Sequence, residues 1–220
     1  MATAVRRRLG RARGEDGERG AVLVEAAIVI PLLMLITLGI IEYGSAYQQD
    51  AAVAAASRSG ARVASALPKT DFGCTPVTSC SGGGTDSAVT VANAVSTALQ
   101  SVGSAAPQKL VIYDADPDAD GNGAPNFTGC THCMTYTWNT STKQFNTTKS
   151  SGTGWLSTGQ YACAANTNPH GDVGPEAIGV YVQMTHTAVT HLFGGNKTLS
   201  GTTVMRFEPN VSSTCANTTT

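Results

Sequence analysis

Hydrophobic and polar positions divide the chain into three textures. Residues 1–20 are polar and Gly/Arg-rich, and this leader stops abruptly at Gly20. Ala21 to Ile41 (AVLVEAAIVIPLLMLITLGII) is apolar apart from Glu25. As a helix that run spans roughly 31 Å, about the thickness of a hydrocarbon core. Pro31 falls inside it, deletes one backbone hydrogen bond and predicts a kink in the anchor. Beyond it, Tyr43, Tyr47, Ala51, Ala54 and Ala55 recur at helical spacing, and Ala51–Ala56 is strongly helix-favouring. Leu67-Pro68 ends the pattern, because a residue before proline avoids the helical region. Residues 21–66 therefore read as one helix of about 69 Å, half of it in lipid.

The remaining chain is a different kind of sequence. Asp71 to Gly84 reads as a loop holding Cys74 and Cys80. Thr85 to Val102 reads as a second helix, with Val89, Ala92, Val95 and Leu99 on one face and Asp86 near its start. Strand texture follows at Leu110–Tyr113, Met134–Trp138, Gln144–Asn146, Ile178–His186 and Thr202–Phe207, separated by Thr, Ser, Asn and Gly clusters. Ile178, Val180, Val182 and Met184 alternate with Gly179, Tyr181, Gln183 and Thr185, the mark of a half-buried strand. The predicted fold class is α+β, a long N-terminal helix packed on an antiparallel sheet. Its predicted divisions are a cytoplasmic leader (1–20), a transmembrane and spine helix (21–66) and an extracytoplasmic domain (67–220).

Charge and cysteine content sharpen the compartment. A net charge of −1 over 220 residues, with no long basic cluster beyond the leader, argues against a nucleic-acid partner. All six cysteines follow the apolar run, which suggests an oxidising environment. The leader carries Arg6, Arg7, Arg8, Arg11, Arg13 and Arg19, whereas Glu42 and Asp50 flank the other end. Cytoplasmic loops favour Lys and Arg, so a cytoplasmic N-terminus and an exported C-terminal domain are predicted. A cleaved secretory signal ending near Gly44-Ser45-Ala46, or a plain signal anchor, are the rival readings of the first 41 residues.

Neither rival accounts for Gly20 and Glu25. A carboxylate inside an apolar run costs several kcal/mol unless it lies near the interface or meets a cation. Gly20, an apolar residue, then Glu25 at the fifth position resembles the processing site of type IV pilin-class signals. The wider match, in Val24-Glu25, Ala27, Ile30-Pro31-Leu32, Gly39-Ile40-Ile41-Glu42-Tyr43-Gly44 and Ala61-Arg62, resembles the TadE-like family, minor pseudopilin-type proteins of Tad (Flp) pilus assembly. The resemblance implies cleavage between Gly20 and Ala21 by a membrane prepilin peptidase. It also implies that Glu25 pairs with the N-terminal amine of a neighbouring subunit, and that the fold is pilin-like. Ala26 stands where a major Flp pilin usually has Tyr, and the chain is far longer than a major pilin.

Three further motifs carry chemistry. Asp116, Asp118, Asp120 and Gly121 match the first half of a calcium-binding D-x-D-x-D-G loop. Phe127 occupies the twelfth position, where a bidentate acid is expected, so calcium and a solvated acidic turn both stay open. Cys130-Thr-His-Cys133 could be a redox pair, half a zinc site or two disulfide partners. The strand texture after Cys133 lacks the helix N-terminus that activates a redox thiol, so structural disulfides are preferred. Cys74–Cys80, Cys130–Cys133 and Cys163–Cys215 form one set of pairs. His186 and His191 share a face of neither helix nor strand and read as structural. No nucleophile elbow, phosphate loop or catalytic carboxylate pair is visible, which favours a non-enzymatic protein with no other cofactor. The expected partners are the membrane, a prepilin peptidase and other pilins or pseudopilins. The rivals are a membrane-tethered adhesin or ligand-binding domain using the Asp116 loop, and an exported thiol oxidoreductase.

Overall fold

The first helix sets the frame. The computed structural model describes residues 15–67, 86–100, 102, 106–115, 133–147, 175, 177–188, 190 and 194–208. α1 (Glu15–Ala66) runs unbroken for 52 residues with Pro31 inside it. It begins within the leader rather than at Ala21. At the other end Leu67 N–H bonds the Ala64 carbonyl at 3.4 Å, closing the last turn before Pro68.

α2 (Ser87–Leu99) is shorter than the predicted 85–102 because Asp86 caps it, accepting from Ala88 N–H at 2.9 Å. The strands are β1 (Ala106–Asp114), β2 (Cys133–Asn139), β3 (Gln144–Phe145), β4 (Ala177–His186) and β5 (Lys197–Arg206). They form one antiparallel sheet in the order β3-β2-β1-β4-β5. Each predicted strand has its counterpart. β5 begins five residues before the expected Thr202 because it pairs along the whole of β4, from Ala177↔Arg206 to His186↔Lys197.

Both helices lie on one face of the sheet. Val53, Ala56, Ala61 and Ala64 of α1 and Val91, Ala92 and Val95 of α2 pack with Leu110, Ile112, Met134, Tyr136, Ile178, Val180, Val182 and Met184. The predicted alternation in β4 is thus real, with its even-numbered apolar residues under the helices. Small residues on α1 permit the close approach. A Cβ on Gly60 would come within 2.6 Å of Val95 and 3.0 Å of Val180, and one on Gly201 within 2.9 Å of the Val53 carbonyl oxygen. On the opposite face Val111, Tyr113 and Cys133 cluster, with Tyr113 lying across Gly179, its partner in register. Two hydrogen bonds stitch the layers: Ser57 Oγ to Thr203 Oγ1 at 2.9 Å, and Phe145 N–H to Ser96 Oγ at 3.0 Å.

Candidate functional site

Along α1 the surroundings change at a single residue. From Val22 to Ile41 the large apolar side chains are exposed apart from the half-buried Leu38, and Val22, Leu23, Ile28 and Ile40 each keep more than 60 % of their surface. By length and composition this segment can cross a membrane. Thr37, in its second half, satisfies its hydroxyl inside the helix by donating to the Leu33 carbonyl at 2.7 Å. Burial begins at Glu42 and recurs at Gln49, Val53, Ala56, Gly60 and Ala64. Those spacings of seven, four, three, four and four lay one stripe of α1 against the sheet.

The first member of that stripe is a carboxylate. Glu42 is 6 % exposed and meets the end of β4 and the chain just beyond it. Its Oε1 lies 3.3 Å from His186 Nε2. Its Oε2 accepts from Thr190 N–H at 3.1 Å and from the Thr190 hydroxyl at 3.3 Å. The other ring nitrogen, His186 Nδ1, lies 2.8 Å from Gln49 Oε1, one helical step of seven further along the same face. Both ring nitrogens of His186 are thus occupied, each by an oxygen of a side chain on α1. This buried cluster fastens the sheet to α1 one residue beyond the apolar run. A polar group removed from water is costly unless its partners are built in, and here they are.

The residues singled out in the sequence fall into two groups. Gly20, Ala21, Glu25 and Pro31 all lie on the exposed segment of α1. Glu25 makes no hydrogen bond or ion pair with any described residue. A Cβ on Gly20 would meet nothing within 4 Å, so neither packing nor backbone geometry demands glycine there. Cys133 opens β2, is buried and is disulfide-bonded. It begins a strand and not a helix, as the argument against an activated redox thiol requires. Cys74, Cys80, Cys130, Cys163 and Cys215, the Asp116, Asp118 and Asp120 loop, and His191 lie outside the described residues. Among the described residues no group of three or more His, Cys, Asp or Glu is placed to hold a metal.

His186 is structural, as read, but its partner was missed. Glu42 and His186 stand 144 residues apart, a pairing that no local pattern announces. The signal that was available is the helical phase of Glu42 with Gln49, Val53 and Ala56. Elsewhere burial pushes the Tyr113 hydroxyl up to about 12 from an ordinary 10.0. Tyr136 is raised further, first by burial and second by the nearby Asp86 carboxylate.

A membrane-length helix continuing into the core of an α+β domain is the class that this architecture defines. Within that class, residues 20–62 match the family model described as TadE-like protein, which confirms the resemblance read from the sequence. The match begins on Gly20 and ends inside the packed half of α1. No curated protein and no solved structure matches the chain.

Proposed function

We propose that this protein is a non-enzymatic, single-pass minor pseudopilin-like component of a Tad/Flp-type pilus assembly or secretion machine. A prepilin peptidase cuts it between Gly20 and Ala21, and Glu25 then pairs with the freed amine of a neighbouring subunit. The leader is cytoplasmic and the sheet domain is exported. Other pilins or pseudopilins of the machine are its partners, and Pro31 shapes its anchor.

The observation that carries this reading is Glu25. It is a carboxylate on the exposed face of an otherwise apolar helix, with no partner among the described residues of its own chain. Ionised in lipid it costs several kcal/mol, and an opposite charge from another chain offsets that cost in a low-dielectric layer. Two further facts support it. The TadE-like match starts at Gly20, and Gly20 occupies a site where any small side chain would fit the helix. A glycine that the fold does not require is compatible with a peptidase recognition site. The disulfide at Cys133 agrees with an exported domain, and Cys130–Cys133, Cys74–Cys80 and Cys163–Cys215 are the proposed pairs.

The test is N-terminal sequencing of the membrane-extracted chain after co-expression with a prepilin peptidase. A new N-terminus at Ala21, lost in Gly20→Ala, is the expected result. A native chain that retains its arginine-rich leader in the presence of active peptidase overturns the proposal.

A further inference from the structure

α1 carries a surface stripe that the packed domain leaves uncovered, and its chemistry changes in steps. Ile36, Ile40, Tyr43 and Tyr47 follow one another at spacings of four, three and four, so they share one side of the helix. All four are exposed, Tyr43 at 66 % and Tyr47 at 77 %. Glu42 and Gln49, on the other side, are buried against the sheet. One and three helical turns past Tyr47 on its own side the stripe becomes Ala51 and Arg58, with Asp50 beside them, all exposed. Aliphatic, then tyrosine, then small and charged is the order that a helix meets on passing from hydrocarbon through headgroups into water.

Distances along the axis agree. Tyr43 and Tyr47 lie two and six residues past Ile41, about 3 and 9 Å at 1.5 Å per residue. Helical side chains lean toward the N-terminus, which carries both rings back toward the apolar run. A headgroup layer is about 5–8 Å deep on each side of the hydrocarbon. Tyrosine suits that layer because its ring is apolar and its hydroxyl is wet. The sheet offers a cation at the same end. Lys197 is exposed and pairs in register with His186, which itself touches Glu42. An ammonium on a long stem at that level suits lipid phosphates.

Resting on the membrane-spanning reading above, we propose that Tyr43 and Tyr47 form a lipid-headgroup contact that fixes how deeply α1 sits in the bilayer. The Glu42–His186 cluster, on the opposite side of the same two helical turns, then holds the sheet domain against the membrane surface at that depth. The occupant of this face is the headgroup layer and not a second protein helix.

The test places tryptophan at three levels in the full chain, each reconstituted in phosphatidylcholine–phosphatidylglycerol vesicles, with the unsubstituted chain as background. Tyr47→Trp is expected to gain fluorescence that lipids brominated near the headgroup quench several-fold more than lipids brominated near the chain end. Leu33→Trp should show the reverse preference. Ala55→Trp, two turns beyond Tyr47, should respond to aqueous acrylamide and to neither lipid. Quenching at position 33 together with acrylamide quenching alone at position 47 overturns the headgroup contact and leaves the membrane span standing. Protection of position 47 from all three quenchers also overturns it, in favour of a protein neighbour. Failure of both lipids to quench Leu33→Trp overturns the membrane span as well.

Discussion

Glu25 and Glu42 occupy the same helix, seventeen residues apart, and could hardly be placed more differently. Glu42 is enclosed by its own chain: an imidazole, a backbone N–H and a hydroxyl all point at its two oxygens. Glu25 is enclosed by nothing that its own chain supplies among the described residues. Folding explains the first carboxylate completely and the second not at all. A charge in an apolar setting that folding leaves unexplained is the basis of the proposed pairing with another chain. The two glutamates thus separate a carboxylate that the domain itself uses from one that it does not.

Replacing each in turn breaks the comparison most directly. Glu25→Ala is expected to leave domain stability unchanged while abolishing incorporation, read by pilus assembly or export in a host with the complete machinery. Assembly at the normal level would show that Glu25 has no partner. Glu42→Ala should have the opposite profile, losing about 3 kcal/mol in denaturant unfolding in detergent because the buried His186 and the half-buried Thr190 both lose the carboxylate that they meet. His186→Ala should cost a similar amount, and the double variant far less than the sum. Additivity within about 0.5 kcal/mol would mean that the cluster does not act as a unit.

The glycines repeat the contrast at smaller amplitude. Gly60→Ala forces a methyl group into Val95 and Val180 and should cost about 1–3 kcal/mol. Gly44→Ala, where a Cβ meets nothing, should stabilise the helix by about 0.5–1 kcal/mol. Equal effects at the two sites would contradict the packing described. The smallest effect is alkaline. Tyr113 holds its proton to about 12 when folded, against 10.0 in an exposed side chain. Between those values the unfolded chain binds fewer protons than the folded one, so stability falls as pH rises from about 10 to about 12. Tyr113→Phe should flatten that part of a pH–stability curve.

Periodicity made most of the fold legible. The apolar run, the helical phase continuing to Ala66 and the alternation in β4 are local signals, and each survives in the structure. Ends were legible only where the chemistry is local, as at Asp86, whose side chain caps α2. Residues 197–201 were not read as strand, because Lys197, Ser200 and Gly201 dilute the strand texture of Thr198 and Leu199. Pairing with the full length of β4 overrides that preference. Gly20 and Glu25 stood out in the sequence because one ends the polar leader and the other interrupts the apolar run. The Glu42 cluster was not, because an acidic residue at the end of an apolar run already has a ready explanation as a flanking charge. Its true role depends on a histidine 144 positions later, which only the register of β4 under α1 brings near.

A helix that is both tether and core element has a mechanical corollary. α1 has no linker between its exposed apolar residues and those packed on the sheet, since burial starts at the residue following Ile41. Any pull or twist applied to the anchor therefore arrives undamped at Val53, Gly201 and the β4–β5 pair. One continuous helix joins the apolar half to the sheet, so displacing that half would pull on one wall of the domain along with it.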